Sequence, residues 1–406
     1  MTTYDFAIVG GGIVGLSVGL ALSERYPDAR LLVLEKELSW AGHQTGHNSG
    51  VIHSGVYYKP GSLKARFATA GSRAVVEFCQ KHSIEYDICG KVIVATESAE
   101  LPLLENLLAR GLANGIPVER IGAERLREIE PHVRGLAAIR VPTAGIVHYA
   151  RVAAAYARIV AERGGELRLG TRVLNLAVAT DGITLETDRG GFFARYLINC
   201  AGLFCDRLAA VCGLSSEAKI VPFRGEYYEL VPEKRYLCKH LIYPVPNPDF
   251  PFLGVHFTRM IDGTVHAGPN AVLALAREGY CWGDVHLGDT AEVLSYGGFW
   301  KLAARHAGEG FKEIVRSLSK AAFVRSLQRL IPEVQPEDVV PAGSGVRAQA
   351  LTREGKLVDD FLFAAGPHSL HVLNAPSPAA TASIPIGKAV IERIPESVTQ
   401  RLILTR

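Results

Sequence analysis

An α/β fold with two separate sheets is predicted by three features of the chain: a glycine-rich turn joining an apolar strand to a helix, a second apolar run closed by an acid, and a change beyond residue 218 from helix–strand alternation to proline-punctuated strands. Residues 4–9 read as a short buried strand and residues 13–25 carry apolar side chains at helical spacing, so Gly10-Gly-Gly12-Ile-Val-Gly15 forms a strand-to-helix turn. Gly10 allows the tight turn, Gly12 leaves room where a pyrophosphate must approach the backbone, and Gly15 lets helix and strand pack closely. The pyrophosphate then meets the positive end of the helix. Residues 30–34 form the next strand, and Glu35 falls 20 residues past Gly15, where a carboxylate can accept hydrogen bonds from a ribose. These features describe a Rossmann-like dinucleotide-binding unit without separating FAD from NAD. The small, polar, glycine-rich loop Gly42-His-Gln-Thr-Gly-His47-Asn48-Ser49-Gly50 directly after the acid favours FAD, because a flavin needs such backbone beside its pyrophosphate and ring.

Along the chain, residues 62–82 read as a helix, 91–96 as a strand, and 98–130 as helical with a break at Gly111 to Pro117. After a turn at Pro142–Gly145, a helix from Ala150 to Glu162 leads to strands near 166–176 and 182–187. The strand 196–199 then ends at Ala201 and Gly202 before a helix from Asp206, which makes a second strand-turn-helix site. Residues 218–270 are strand-rich and 290–330 helical. The expected organisation is a discontinuous cofactor domain (1–82, 143–217 and 331–406) and an antiparallel-sheet-plus-helices substrate or capping domain (83–142 and 218–330).

At 406 residues the chain exceeds the size at which a single core keeps growing, so about two domains are expected. Its 44 basic and 41 acidic side chains leave a net charge of +3, too balanced to point to nucleic acid. Seven cysteines without a C-x-x-C pair point to a reducing compartment rather than a disulfide framework. No metal site is expected, since no His/Cys/Asp/Glu cluster has closed ligand spacing. The first strand begins by Tyr4 without a basic region or cleavage site, and no run of 18 apolar residues occurs, so the expected location is the cytoplasm, including the cytoplasmic face of the inner membrane as a peripheral site.

Several longer segments carry a resemblance. His47-Asn48-Ser49-Gly50-Val51-Ile52-His53-Ser54-Gly55-Val56-Tyr57-Tyr58, Asn199-Cys-Ala-Gly-Leu, Pro222-Phe-Arg224-Gly-Glu-Tyr-Tyr228, Gly268-Pro-Asn270 and Leu373-Asn-Ala-Pro-Ser-Pro-Ala-Ala-Thr-Ala-Ser383-Ile-Pro-Ile-Gly387, with the glycine-rich N-terminus, resemble the L-2-hydroxyglutarate oxidase (dehydrogenase) group of the D-amino-acid-oxidase-like flavoproteins. The likeness spans nearly the whole chain. The N-terminal motif is common to that superfamily, whereas the segments at 222–228 and 374–381 carry the narrower assignment. The resemblance implies a D-amino-acid-oxidase-like fold, bound FAD, and oxidation of L-2-hydroxyglutarate to 2-oxoglutarate by hydride transfer, with electrons passed to a membrane quinone or another acceptor. Alternatives are a glycine or sarcosine oxidase, a glycerol-3-phosphate dehydrogenase, and a flavin-holding scaffold without turnover.

This chemistry asks the protein to hold carboxylates, remove a hydroxyl proton and stabilise charge on the cofactor. The expected cofactor contacts are Gly10, Gly12, Gly15, Glu35, His47, Asn48, Ser49, Ala201 and Gly202, with Val173 added by resemblance alone. Asn374, Pro376, Ser377, Ala379, Ala380 and Thr381 complete the set, in a loop whose Ala379–Ser383 part is expected to begin a helix running past Gly387. His53 is the first candidate for the base, with His256 and His266 behind it. Two carboxylates call for two donor clusters: Arg347 for the one beside the reacting carbon, Arg224 or Arg259 for the distal one. Tyr57 and Asn270 are further candidate substrate donors. Residues 299–331 interleave Lys301, Arg305, Lys312, Arg316, Lys320, Arg325 and Arg329 with apolar residues, which fits either an anionic membrane surface or a core-packing helix with a solvated cationic face.

Overall fold

The computed structural model describes residues 2–247 and 253–404, with side chains through 400, so residues 248–252 of the expected strand-rich stretch lie outside the described residues. The first strand, β1 (Thr3–Val9), is apolar on both faces and is paired in parallel on both edges, with β2 (Leu31–Leu34) and with Gly190–Asn199. A strand buried this way has no solvent face, hence its unbroken apolar run. Phe6, Ile8, Leu31 and Val33 join one core, and Ala7, Val9, Leu32 and Leu34 join the core on the opposite face. Parallel pairing continues outward to Glu166–Arg168 and Ser369–Asn374, and antiparallel strands complete the eight-stranded sheet. Helix α1 (Ile13–Arg25) packs between Tyr149–Glu162 and Ser383–Ile391 on one face.

A second, nine-stranded sheet is built on the pairing of Ala218–Leu230 with Val339–Thr352 along almost their whole length, with a register shift between Glu226 and Tyr228. This pairing moves 339–352 out of the expected cofactor segment and into the second sheet, because a strand follows its hydrogen-bonding partner rather than its sequence neighbours. Lys91–Ala95, Ala137–Val141 and Leu241–Pro244 extend the sheet. Within 98–130 the helices are Leu101–Ala113 and Ala123–Ile129, separated by the strand Glu119–Gly122. Val51–Ile52, Gly145–Val147 and Tyr86–Asp87 form a small third sheet. Among the described residues no helix is long and apolar enough to cross a membrane.

The β1–α1 turn depends on close backbone approach. Gly10 has φ +114°, and a Cβ there would lie 2.3 Å from the Cys200 carbonyl oxygen; a Cβ on Gly15 would lie 2.0 Å from the Gly10 carbonyl oxygen. Gly15→Ala therefore pushes α1 off the sheet. Its expected outcome is a lower melting temperature, with a loss of about 1–3 kcal/mol or more by overpacking, measurable by thermal and denaturant unfolding.

Candidate active site

One large cavity, of about 1000 Å³, runs from the β1–α1 turn to the second sheet. Its size is at the upper end of the roughly 300–1,000 Å³ usual for ligand sites. At the first end Gly10 and Gly12 line it, and a Cβ on Gly12 would meet only Thr45 Oγ1, at 3.4 Å, so this glycine opens onto the cavity. Gly15 is absent from the wall because its role is packing. Thr45 Oγ1 accepts from the Ile13 amide at 3.0 Å, which ties the polar loop to the start of α1. Glu35 is buried on the wall and accepts from the Gly11 amide at 2.6 Å and the Glu37 amide at 2.9 Å, so local donors hold the carboxylate in place.

Ala201, Gly202 and Val173 line the same half. The thiols of Cys200 and Cys205 beside them are buried and pushed up by desolvation, that of Cys200 to about 12, so both are packing groups rather than reactive thiolates. Glu37, His43 and Glu278 bring three ligand atoms within 4.8 Å of one another, but the Lys36 ammonium already sits between the two carboxylates, pairing with Glu37 and lying 2.6 Å from Glu278.

In the middle of the cavity the loops 44–53 and 374–381 face each other. His47, Asn48 and Ser49 are on the wall; Asn48 folds its own loop by donating to the Gln44 and Thr45 carbonyls and accepting from Gly50. Asn374, Pro376, Ser377, Ala379, Ala380 and Thr381 form the opposing wall. Helix Ser383–Ile391 begins after them, and turns bonded Ala379 N to Pro376 O and Ala382 N to Pro378 O precede it. The helix thus starts at the last residue of the expected Ala379–Ser383 stretch. Thr381 Oγ1 accepts from the His53 amide at 3.1 Å, contacts Tyr149 Oη at 2.7 Å and donates to the Val51 carbonyl at 3.1 Å.

At the far end stand His53, Tyr227, Tyr243, His256 and Arg347. Desolvation, then the charge of Lys91, holds His53 well below the usual histidine range, and its Nδ1 is buried with no hydrogen-bond partner. His256 is pushed down to about 3 by burial, although its Nδ1 donates to the Gly254 carbonyl at 2.9 Å. Both rings are therefore neutral at neutral pH. Arg347 reaches the Asn270 carbonyl at 3.4 Å, and burial lowers its pKa while leaving guanidinium, with its very high ordinary value, charged.

Five sequence candidates are placed away from the cavity wall. Arg224 is fully buried in an ion pair with Glu226 at 3.0 Å, donates to the Cys281 carbonyl and stacks on Trp282. Arg259 pairs with Asp87 at the surface, at 2.9 Å. Asn270 spends its side chain on Glu226, donating at 2.7 Å and accepting from its amide, so it supports Arg347 through its carbonyl instead of offering a donor to substrate. Tyr57 is half-buried, its ring centroid 6.4 Å from that of Tyr243. His266, an alternative base, lies beside Glu229 and off the wall. Sequence reasoning missed Tyr227 and Tyr243, which line the cavity.

The open face at Gly12, the wall-lining acid Glu35 and the buried Asn374 Oδ1 without a partner fit a dinucleotide along this wall. Comparison with known proteins agrees. Residues 5–393 match the family described as FAD dependent oxidoreductase. L-2-hydroxyglutarate dehydrogenase of Escherichia coli O17:K52:H18 is 50% identical over 96% of this chain and 93% of its own length. The mitochondrial L-2-hydroxyglutarate dehydrogenase of Homo sapiens is 44% identical over 97% and 89%. Among solved structures, the FAD-bound L-alpha-glycerophosphate oxidase of Mycoplasma pneumoniae superposes with a TM-score of 0.79 at 20% identity, covering 97% of this chain and 94% of that one. Glycine oxidase of Geobacillus kaustophilus gives 0.74 at 19% identity, covering 98% and 95%. These two show the fold alone, and it is the D-amino-acid-oxidase-like architecture.

Because Gly12 faces the cavity and Gly15 the protein, Gly12→Val is expected to keep the fold and lose the cofactor. Purified variant should carry a small fraction of the parent's flavin by absorbance, at a nearly unchanged far-ultraviolet dichroism spectrum; full flavin content would remove Gly12 from the binding wall.

Proposed function

This chain belongs to the FAD-dependent oxidoreductase family, and we propose that it oxidises L-2-hydroxyglutarate to 2-oxoglutarate. It is an FAD-dependent 2-hydroxy-acid dehydrogenase, and the observation that carries the substrate is near-half identity, along the whole chain, to relatives bearing that name. The eight-stranded sheet and its helices form the cofactor domain, and the nine-stranded sheet forms the cap over the substrate end. Gly10, Gly12, Glu35, the 47–49 and 374–381 loops and the Ala201–Gly202 turn hold FAD. When bound, FAD supplies the acceptor for the hydride leaving the substrate's hydroxyl-bearing carbon.

Arg347 holds the carboxylate next to that carbon with its planar fork, and the Asn270 carbonyl orients the fork. His53 takes the hydroxyl proton. Its neutral ring suits this role, and the hydrogen bond that its backbone amide donates to Thr381 Oγ1 places it against the 374–381 loop. Tyr227 and Tyr243, both kept protonated by burial, are donors for substrate oxygens.

The direct test is anaerobic mixing: L-2-hydroxyglutarate should bleach the flavin, and glycine, sarcosine and glycerol-3-phosphate should not. A bound flavin that no hydroxy acid reduces would mean a scaffold. His53→Asn should retain FAD and reduce it about 10²- to 10⁴-fold more slowly. With the folded pKa lowered, the ring gains its blocking proton only below the ordinary value of 6.5, so the parent's acid limb should lie beneath pH 6.5 and disappear in the variant. Parent rates in His53→Asn would pass the role to His256.

The electron acceptor we propose is a membrane quinone, reached by docking of the 299–331 helices on an anionic bilayer. Leu302, Phe323 and Leu327 pack inward, while Trp300, Phe311 and Leu318 are exposed, the last two at 68% and 69%. Several of the basic side chains are engaged within the protein: Arg316 pairs with Glu313, Arg305 caps the Gly355 carbonyl and Arg329 pairs with Glu100. The exposed apolar face of helix Ala307–Leu318 thus supports docking more than the cationic stripe does. Phe311→Glu combined with Leu318→Glu should lower binding to phosphatidylglycerol-containing vesicles by about tenfold or more at unchanged flavin reduction. Equal co-sedimentation of variant and parent would rule out this face.

A further inference from the structure

Residues 277–292 follow the strand Val272–Leu273 of the nine-stranded sheet, yet two ion clusters fasten them to the cofactor side of the molecule. In the first cluster Arg277 is 2% exposed. Its guanidinium donates to both carboxylate oxygens of Asp206, at 3.0 Å for Oδ2, to the Leu203 carbonyl, and to Glu292 at 3.1 Å. Its backbone amide donates to Asp289 at 2.8 Å, and Arg207 closes the cluster at 2.6 Å from both Asp289 and Glu292. In the second cluster Glu278 meets Lys36 at 2.6 Å and His43 at 2.9 Å, and Tyr280 Oη lies 2.8 Å from His43 Nδ1.

The Phe204 ring lies between the two clusters. Its centre is 5.7 Å from the Arg207 guanidinium and 5.8 Å from both the Arg277 guanidinium and the Lys36 ammonium. Leu203 and Phe204 line the cavity directly after Ala201 and Gly202, whereas Arg277 is absent from the wall. Gly202–Phe204 is one short 3₁₀ turn, so partners outside it set where it lies. Arg277 is such a partner, and it comes from the other sheet's part of the chain. Desolvation alone would lower its pKa, and Asp206, then Glu292, raise it beyond the ordinary value, so the buried guanidinium is charged and compensated.

We propose that Arg277 is a positioning residue for the cofactor: from behind the cavity wall it holds the Leu203–Asp206 turn in place as part of the FAD site, so that the 277–292 segment is a clasp that must loosen before FAD leaves. The proposal rests on the reading that places FAD at the Ala201–Gly202 turn. Without Arg277 the Asp206 carboxylate and the Leu203 carbonyl lose the donor they share, and the turn is free to relax away from the cavity. A lysine in its place offers one point charge and cannot span both Asp206 oxygens and the carbonyl at once.

The test follows FAD release from diluted holoenzyme by the fluorescence of the freed flavin, with glutarate perturbation of the bound flavin's spectrum as the readout at the far end of the cavity. Arg277→Met, an exchange that buried ions commonly tolerate, should speed release by about tenfold or more and leave glutarate affinity within about twofold. Arg277→Lys should fall between variant and parent. Parent-like release, or glutarate affinity lost as steeply as FAD, would assign Arg277 to the fold in general and overturn the proposal. Where Arg277→Met does not fold, Glu292→Gln decides, because Glu292 is off the wall and keeps a hydrogen-bonding side chain. It should speed release by about two- to tenfold at the same glutarate affinity, and unchanged release again overturns the clasp. Full flavin in Gly12→Val would retract the placement of FAD, whereas flavin loss in Gly12→Val with parent-like release from Arg277→Met retracts the clasp alone.

Discussion

The hydroxyl of Thr381 is the contact on which the centre of this molecule depends. Buried to 1% exposure, it meets Tyr149 from the helix Tyr149–Glu162, the carbonyl of Val51 and the amide of His53. Two segments far apart in sequence, 51–53 and the helix at Tyr149, are thereby held to one oxygen on a third. The 374–381 loop cannot shift without carrying His53 with it, and the small sheet at Val51–Ile52 is fixed by the same bond. A buried hydroxyl with every valence used is stable only when all partners stay in place, which makes this junction cooperative.

Desolvation supplies the second organising effect. The far end of the cavity has few carboxylates, and burial drives its histidines to the neutral form and its tyrosines to the protonated form. The same effect opposes the charge on Lys91 and leaves Arg347 charged, because guanidinium starts from so high a pKa. A cavity end with neutral imidazoles, neutral phenols and the Arg347 guanidinium suits an anionic, proton-releasing substrate.

The arginines show why part of this site was hidden in the sequence. Arg224 and Arg347 sit on adjacent strands in similar glycine-bearing contexts, and composition offers no reason to separate them. In the register, Arg347 is opposite Phe223, and Gly345 is opposite Gly225. Directly paired residues point to one face, so Arg347 shares the cavity face with Gly225, while Arg224, one position along, points to the other. A one-residue phase decided which guanidinium meets the cavity and which is locked to Glu226. Asn270 was misread for a related reason: its amide is satisfied by Glu226, a partner 44 residues away that local sequence does not indicate.

Amphipathic surface told a similar story at the 299–331 helices, where spacing showed both apolar and basic stripes but not which would face solvent. Phe323 and Leu327 found a core to enter and Phe311 and Leu318 did not. By itself the sequence determined what local chemistry controls: the β1–α1 turn, the positions of Gly10, Gly12 and Glu35, the order of most helices and strands, and the residue types that suit a flavin and an acid. Each of these depends on a few neighbouring residues and on backbone sterics. Only the tertiary structure decided that 339–352 leaves its neighbours for the second sheet and that Arg347 and not Arg224 faces the cavity. Those outcomes follow from strand register and from partners distant in the chain, and no local pattern encodes them.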